Sequence, residues 1–512
     1  MNNSIVIRVD ASVQMGSGHV MRCATLADAL RSRGATVTFV CRDLPGNYIA
    51  WLEARNFEVV KLAAPLPLAS AVHGAYLPVH LPWLGVSLDQ EIAEVRRALA
   101  DLPLQDWIIV DHYALDQQWE RQVQPFTRSI MVIDDLADRR HDCNVLLDQN
   151  YYRDMQQRYD NLLPPSCKKL LGPAYALLRD EFASRRAGLK PRSGAVERVL
   201  VFFGGVDADN YTGATIAALA GADRPQVQVD VVIGAGHPAR AAIEAACERY
   251  GYSCHVQTPR MAELMAGADL AIGAGGTATW ERCCLGLPAL TLCIADNQRQ
   301  LVDDAALAGL IYAPQIDQRH SMEQGLRQHY LALLDNQGLR GFLSQQSHDV
   351  VDGRGAARVA RAMGSHGIVL RQAQVADSAD LMAWRNHPSI RAVSRNSAPI
   401  MADQHQAWFD AVLRDEQRIL LIGQHADGQA VGVVRFDLHE DSAEVSIYLV
   451  PGASGRGLGA ELLASAEQWL SKNRSDITII RAEVLGDNQP SHRLFLTGSY
   501  VRDSTRYFKK VN

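Results

Sequence analysis

His19, inside Gly16-Ser17-Gly18-His19-Val20-Met21-Arg22, is the side chain best placed for chemistry. It follows a two-glycine loop and falls in the first turn of an apolar helical pattern through Met21, Ala24, Leu26, Ala27 and Leu30. Glycines there let backbone N–H groups approach an anion, and the free N–H groups of a helix's first turn favour negative charge. The positive end of the helix dipole also favours an uncharged imidazole, which beside a bound diphosphate can act as a general base toward water. The same residues read equally as a glycine-rich loop with an incidental histidine, because GxGH alone is a weak signal.

Further along, Gly204-Gly205, Gly234-Ala235-Gly236-His237 and Gly273-Ala274-Gly275-Gly276-Thr277 each follow a short apolar run. Each suits phosphate oxygens as a backbone nest or helix start, and none has the Lys-Ser/Thr ending of a P-loop. Glu281 falls about one helical turn past Thr277, where a carboxylate can accept both hydroxyls of a ribose. Against this, glycines at such places also serve simply to let helices pack on a sheet. Asp111-His112-Tyr113 ends a strand as Asp10 does and should face the same cleft. Asp134 and Asp135 are adjacent and point to opposite sides of an extended chain, so they make a poor catalytic pair. His73 and His80 sit in a Pro-rich excursion from Ala64 to Trp83 and read as solvated loop rather than metal ligands.

The elements that must position these residues alternate strand and helix. Strands are expected at 5–10, 36–41, 57–61, 107–111, 129–133 and 145–147, and after a basic, turn-forming linker (185–193) at 199–203, 227–233, 253–256, 270–272 and 289–293. A third region differs. After the break at Gly364-Ser365-His366-Gly367 come a strand (368–371), helices (377–386 and 403–415) and strands at 419–424, 430–437 and 443–449, with Asp427-Gly428 as a hairpin turn. Gly455-Arg456-Gly457-Leu458-Gly459 then opens a helix over 459–471, again presenting N–H groups suited to a pyrophosphate.

A chain of 512 residues calls for two or three domains. Net charge −6 gives no basic footprint for nucleic acid, and no apolar run reaches the roughly 20 residues of a membrane span. The start lacks a signal peptide's basic and apolar regions, and nine cysteines without CxxC spacing read as reduced core thiols, so a cytoplasmic protein without metal is expected.

GSGHVMR at 16–22, VDHY at 110–113, IDDLADRRHDC at 133–143, FFGGVD at 202–207 and GAGGTATWE at 273–281 together resemble the UDP-2,4-diacetamido-2,4,6-trideoxy-L-altrose hydrolases. These are UDP-sugar-cleaving enzymes of pseudaminic acid biosynthesis, related in fold to MurG-type glycosyltransferases, and the resemblance covers about 4–340. It implies that His19 activates water at the anomeric carbon and that Tyr113 lies beside the sugar, with Gly16, Ser17, Gly18, Arg22 and Asp111 in the same substrate site. It implies likewise that Gly275, Gly276 and Thr277 cradle the diphosphate and Glu281 holds the ribose, with Gly204 and Gly205 also in the substrate site and Asn297 and Gln298 closing the nucleotide site.

The last region resembles GNAT acetyltransferases, whose pyrophosphate loop reads Arg/Gln-x-x-Gly-x-Gly. Gly457 and Gly459 match it, and Ser454 departs at the Arg/Gln position. The resemblance implies an acetyl-CoA site of Leu449, Gly455, Arg456, Gly457, Leu458, Gly459, Asn488 and Ser491, with Leu494 matching the same later segment. Glu483 is placed as base toward the attacking amine. Phe495 stands where many such enzymes have a proton-donating tyrosine, leaving that role to Tyr500 or water. Trp384-Arg385-Asn386-His387-Pro388 further resembles the acetyltransferase acting on the 4-amino sugar nucleotide of the same route.

The expected fold is therefore α/β: two Rossmann-like lobes of GT-B type (1–190 and 191–364), then a mixed α+β GNAT domain (367–512). The expected activity is bifunctional, acetylation of a 4-amino UDP-sugar and hydrolysis of the diacetamido product. The alternatives are a UDP-sugar glycosyltransferase fused to a protein N-terminal acetyltransferase, or a sugar-nucleotide sensor without turnover.

Overall fold

A computed structural model describes residues 3–65, 79–295, 298–316, 321–364, 367–394, 396–425, 428–454, 457–485 and 488–502. His73, Asn297, Asp427, Gly455 and Arg456 lie outside the described residues. The chain divides into two compact units, one of Met1–Arg31 with Ala35–Met363, the other of Gly364–Asn512 with Ser32–Gly34.

The first sheet comprises β1 (Ser4–Val9), β2 (Thr36–Arg42), β3 (Glu58–Leu62), β4 (Gln105–Asp111), β5 (Thr127–Ile133), β6 (Val145–Asp148) and β7 (Lys168–Leu171). Its pairings are all parallel, in the order β3-β2-β1-β4-β5-β6-β7. Most of these strands read as continuous β-branched runs because both faces are covered. β7 gives no such signal: its two lysines are exposed and it closes the sheet's edge, where lysines discourage further pairing.

The second sheet comprises β8 (Arg198–Phe202), β9 (Gln228–Ile233), β10 (Ser253–Val256), β11 (Leu270–Ala274) and β12 (Ala289–Leu292), ordered β10-β9-β8-β11-β12 and again parallel. In both sheets strand order reverses beside the first strand, between β1 and β4 and between β8 and β11. Each reversal opens a crevice at the carboxyl ends of the strands, where such folds bind ligands. These are two Rossmann-like lobes, but their boundaries are interleaved. Helix Gly355–Ala362, expected within 191–364, buries Ala356, Val359 and Ala360 in the first lobe's core. Helix Asp180–Arg186, expected within 1–190, buries Phe182 with Trp280 and Leu285 of the second.

The third sheet comprises β13 (Val369–Gln372), β14 (Arg418–Gln424), β15 (Ala430–His439), β16 (Ser442–Leu449) and β17 (Ile479–Ala482). It is antiparallel except where β16 meets β17, a parallel pair joined through helix Leu458–Asn473. That helix buries Leu462, Leu463, Ala466 and Leu470 against the sheet. Among the described residues no helix is long and apolar enough to cross a membrane.

Candidate active sites

Helix Gly18–Arg31 starts at the crevice between β1 and β4. Gly16 takes φ +73°, a left-handed turn that suits glycine, and its N–H is bonded to the Ser12 carbonyl at 2.8 Å. Met21 N–H is bonded to the Ser17 carbonyl, which leaves the amides of Gly18, His19 and Val20 without an acceptor among the described residues. A side chain at Gly16 or Gly18 would meet open space, so the loop is hollow on its outer side.

His19 is 7% exposed and its Nδ1 lies 2.6 Å from Asp111 Oδ1. A carboxylate can only accept, so Nδ1 carries the proton and Nε2 is left as the ring's acceptor. Arg22 grips the same carboxylate with two prongs, Nε to Oδ2 and Nη2 to Oδ1, both at 2.7 Å. Burial pushes the Asp111 carboxyl up, but the Arg22 guanidinium and then His19 outweigh it and hold it well below the usual carboxylate range. Cys23 Sγ adds a contact of 3.3 Å to Asp111 Oδ2.

Tyr113 packs edge-on to the His19 ring at a centroid distance of 4.6 Å and donates its hydroxyl to Asp135 Oδ1. Burial, then the Asp135 carboxylate, push its phenol well up, so it stays a neutral donor. Arg22 Nη1 also reaches Asp135, at 3.1 Å to Oδ2. Asp135 is therefore part of this cluster. Alternation along the chain does send its neighbour Asp134 elsewhere, to Arg139 at 2.8 Å and Tyr159 at 3.2 Å, yet one member of the pair still reaches the site. The readable signal was its position directly beyond β5, at the edge that carries Asp111.

Two expectations change. Asp10 does not share the cleft with Asp111: it is fully buried between Arg8 and the Arg42 N–H, in a network that includes Glu91. His80 is not solvated loop, since its ring lies 5.3 Å from Tyr113 and 4.6 Å from Trp83, and Trp83 itself lies 5.7 Å from Tyr113. Aromatic packing on Tyr113 from a segment 30 residues earlier has no local sequence signature.

In the second lobe, Gly204 (φ +103°) and Gly205 border open space at the β8 end. Gly234 instead answers to packing, because a Cβ there would lie 2.0 Å from the Gly205 carbonyl oxygen, and His237 is buried against Asp207 at 3.3 Å. At the β11 end, Gly275 N–H is bonded to the Leu292 carbonyl at 3.0 Å and Gly276 N–H to Thr279 Oγ1 at 3.3 Å. Of the expected cradle of Gly275, Gly276 and Thr277, the two glycine amides are thus already bonded within the protein. The two glycines provide shape, and the donors left open among the described residues are the amides of Thr277 and Ala278, first in helix Thr277–Cys284. Gln298 lies against this loop, its amide within 3.6 Å of where a Cβ on Gly275 or Gly276 would stand, and its Oε1 is buried without a hydrogen-bond partner.

Glu281 faces Arg179 Nη2 at 3.8 Å, and burial, only partly offset by Arg179 and Arg282, raises its carboxyl to about 7. Arg282, which no sequence motif singles out, is 2% exposed and makes no ion pair among the described residues. Its Nη2 donates to the Ala274 carbonyl at 2.8 Å and Thr279 Oγ1 at 3.1 Å, directly behind the glycine loop, and burial lowers it to about 10. A buried cation without a charged partner is costly.

In the third domain, β16 and β17 pair only from Ser442/Ile479 to Val445/Ala482, while β16 runs on to Leu449. The strands part beyond that point, and Glu483, exposed, is the residue just past the split. Gly457 (φ +78°) precedes helix Leu458–Asn473, whose Leu458 and Gly459 amides have no acceptor among the described residues. Leu449 and Leu494 both close on Gly459, their Cδ1 atoms 3.9 Å from where its Cβ would stand. Asn488 Oδ1 accepts from the Ser491 N–H at 3.2 Å and so caps helix Gln489–Thr497. Phe495 is buried with the Tyr500 ring 5.0 Å away, and burial, then Glu467, push the Tyr500 phenol far up.

Among the described residues no group of three or more His, Cys, Asp or Glu side chains stands close enough to hold a metal ion.

Residues 368–497 match the acetyltransferase (GNAT) domain family, so the third domain is an acetyltransferase domain of that family. The whole chain is 22% identical over 511 residues to the uncharacterized protein MJ1062 of Methanocaldococcus jannaschii, spanning 96% of this chain and 95% of that protein. Over 178 residues it is 25% identical to UDP-2,4-diacetamido-2,4,6-trideoxy-beta-L-altropyranose hydrolase of Campylobacter jejuni, which is 35% of this chain and about half (53%) of that enzyme. Among solved structures, MurG of Acinetobacter baumannii aligns over 71% of this chain and 99% of its own with TM-score 0.47 and 15% identity.

Proposed function

We propose that the chain is a bifunctional enzyme of UDP-sugars: its two lobes hydrolyse a UDP-2,4-diacetamido-2,4,6-trideoxy-hexose to UDP and free sugar, and its third domain acetylates the 4-amino precursor from acetyl-CoA. The observation that carries the hydrolase reading is the hydrogen bond from His19 Nδ1 to Asp111, which leaves Nε2 as a base at the mouth of a glycine loop. Nε2 takes a proton from water, the water oxygen bonds to the anomeric carbon, and the C–O bond to UDP breaks with its electron pair passing to the β-phosphate. Asp111 then faces the imidazolium it has helped to form. Positioned acid–base catalysis of this kind contributes about 10²–10⁴-fold.

The departing diphosphate is met by the amides of Thr277 and Ala278, by the charge of Arg282 behind them, and by the amides of Gly18 to Val20 at the other lobe's helix start. Preorganised donors of this sort stabilise developing negative charge without a separate acid. Glu281 holds the ribose hydroxyls, Gln298 supplies its buried amide oxygen to the nucleotide, and Tyr113 packs against the sugar.

In the third domain the amides of Leu458 and Gly459 take the acetyl-CoA pyrophosphate, and the pantetheine arm lies in the parting of β16 and β17 near Leu449 and Leu494. The substrate's 4-amine attacks the acetyl carbon, Glu483 takes its proton, and the thiolate leaves. The relative from Campylobacter and the GNAT match over 368–497 support joining these steps in one chain. Mass spectrometry of products from the 4-amino UDP-sugar, with and without acetyl-CoA, tests the whole reading. Free diacetamido sugar and UDP are expected only when acetyl-CoA is present; an intact acetylated UDP-sugar would remove the hydrolase half.

A further inference from the structure

The cluster around His19 does not end within its own lobe. Asn150, two residues past β6, accepts from Trp280 Nε1 at 2.9 Å and donates from Nδ2 to Asp135 Oδ2 at 3.3 Å. Trp280 is fully buried in helix Thr277–Cys284, the helix that starts at the diphosphate loop. From Asp135 the contacts continue to Tyr113 and Arg22, from Arg22 to Asp111, and from Asp111 to His19. An indole N–H can only donate and an ionised carboxylate can only accept. A carboxamide satisfies both at once, and the two bonds fix which way the Asn150 amide points. Its own backbone is held in turn, the Asn150 N–H bonding Asp148 Oδ1 at 3.0 Å.

We propose that Asn150 is a positioning residue through which the nucleotide-binding helix sets the orientation of Asp135 and Arg22, and so of the Asp111–His19 pair. Neither Asn150 nor Trp280 touches the reacting atoms in this account. The chain of contacts gives the two lobes one shared arrangement in which the base is aligned and the diphosphate helix is seated. The kinetic part of this inference rests on the hydrolase reading above; the structural part does not.

Asn150→Asp tests it with little change in shape. A carboxylate at 150 faces Asp135 and repels it, whereas a protonated carboxyl can still donate to Asp135 and accept from Trp280. The variant's rate relative to the parent should therefore fall as pH rises, by about tenfold once both carboxylates are ionised, the size of one lost hydrogen bond to a charged group. The deciding readout needs no turnover: the imidazole N–H proton resonance of His19, assigned by its loss in His19→Gln. It should move in Asn150→Asp, more at high pH than at low, and move without pH dependence in Trp280→Phe, which removes the indole donor along with part of the buried ring. Trp280→Phe also serves if Asn150→Asp does not fold. A resonance unmoved in the folded variants overturns the proposal. Absence of UDP release by the parent enzyme would instead overturn the hydrolase reading and leave the resonance to judge the contact chain.

Discussion

The two Rossmann-like lobes present the same topological crevice and furnish it by opposite means. At the β1/β4 edge the site is made of side chains: His19, Arg22, Asp111, Tyr113 and Asp135, each 13% exposed or less, tied to one another by hydrogen bonds. At the β8/β11 edge it is made mainly of backbone: open glycines at 204 and 205, a glycine turn at 275–276, and two amides at the start of a helix that have no acceptor among the described residues. A mesh of buried charges holds the His19 ring in one geometry and tolerates little change, because each partner left alone is costly. A backbone cradle recognises charge and shape and should lose affinity in smaller steps.

If that contrast is right, the greatest loss comes in the first lobe. His19→Asn should lower UDP release by about 10²–10⁴-fold with UDP affinity little changed, measured by turnover and calorimetry side by side. Asp111→Asn should follow at about 10²-fold, because an amide no longer requires the proton on Nδ1 and leaves Arg22 without its carboxylate. Equal losses of UDP affinity in these variants would erase the distinction between the lobes.

Second-lobe changes should register in binding. Arg282→Met is expected to weaken UDP by about tenfold, the scale of one charge-assisted contact, while uridine binding stays within about twofold. A parallel loss of both would make Arg282 a packing residue. Smallest is a pH effect at Glu281. With its carboxyl raised to about 7, mainly by burial, the free protein holds a proton there that the unfolded chain releases near the ordinary value of 4.5. Stability from this group is thus fully present below about 4.5 and declines as pH rises toward 7. Uridine affinity should do the reverse, rising over the same window as the ribose-accepting carboxylate forms. Titrations at several pH values check this, and Glu281→Gln should flatten the dependence.

The same contrast explains what could be read from the chain. Backbone sites announce themselves, since glycines must stand where φ is positive, as at Gly16 and Gly204, or where space is needed, as at Gly275. His19 was legible because it follows such a loop, and the parallel strands because they are uninterrupted β-branched runs. Asn150 and Arg282 were not, because the partners that place them lie 130 and 8 residues away, and Asp135 showed only its position past β5. From the sequence His80 reads as solvated loop for the same reason, and β7 gives no strand signal because an edge strand carrying two lysines resembles a turn. The exchange of helices between lobes was also hidden, as periodicity shows that Phe182 and Val359 are buried but not in which core.

The central claim is that water, aligned by His19, attacks the sugar rather than the phosphate. Hydrolysis of the UDP-diacetamido sugar in ¹⁸O-labelled water, followed by mass spectrometry of both products, tests it directly. The account predicts one labelled oxygen in the free sugar and none in UDP, with the reaction suppressed in His19→Asn. Label in UDP, or an undiminished rate in that variant, would contradict it.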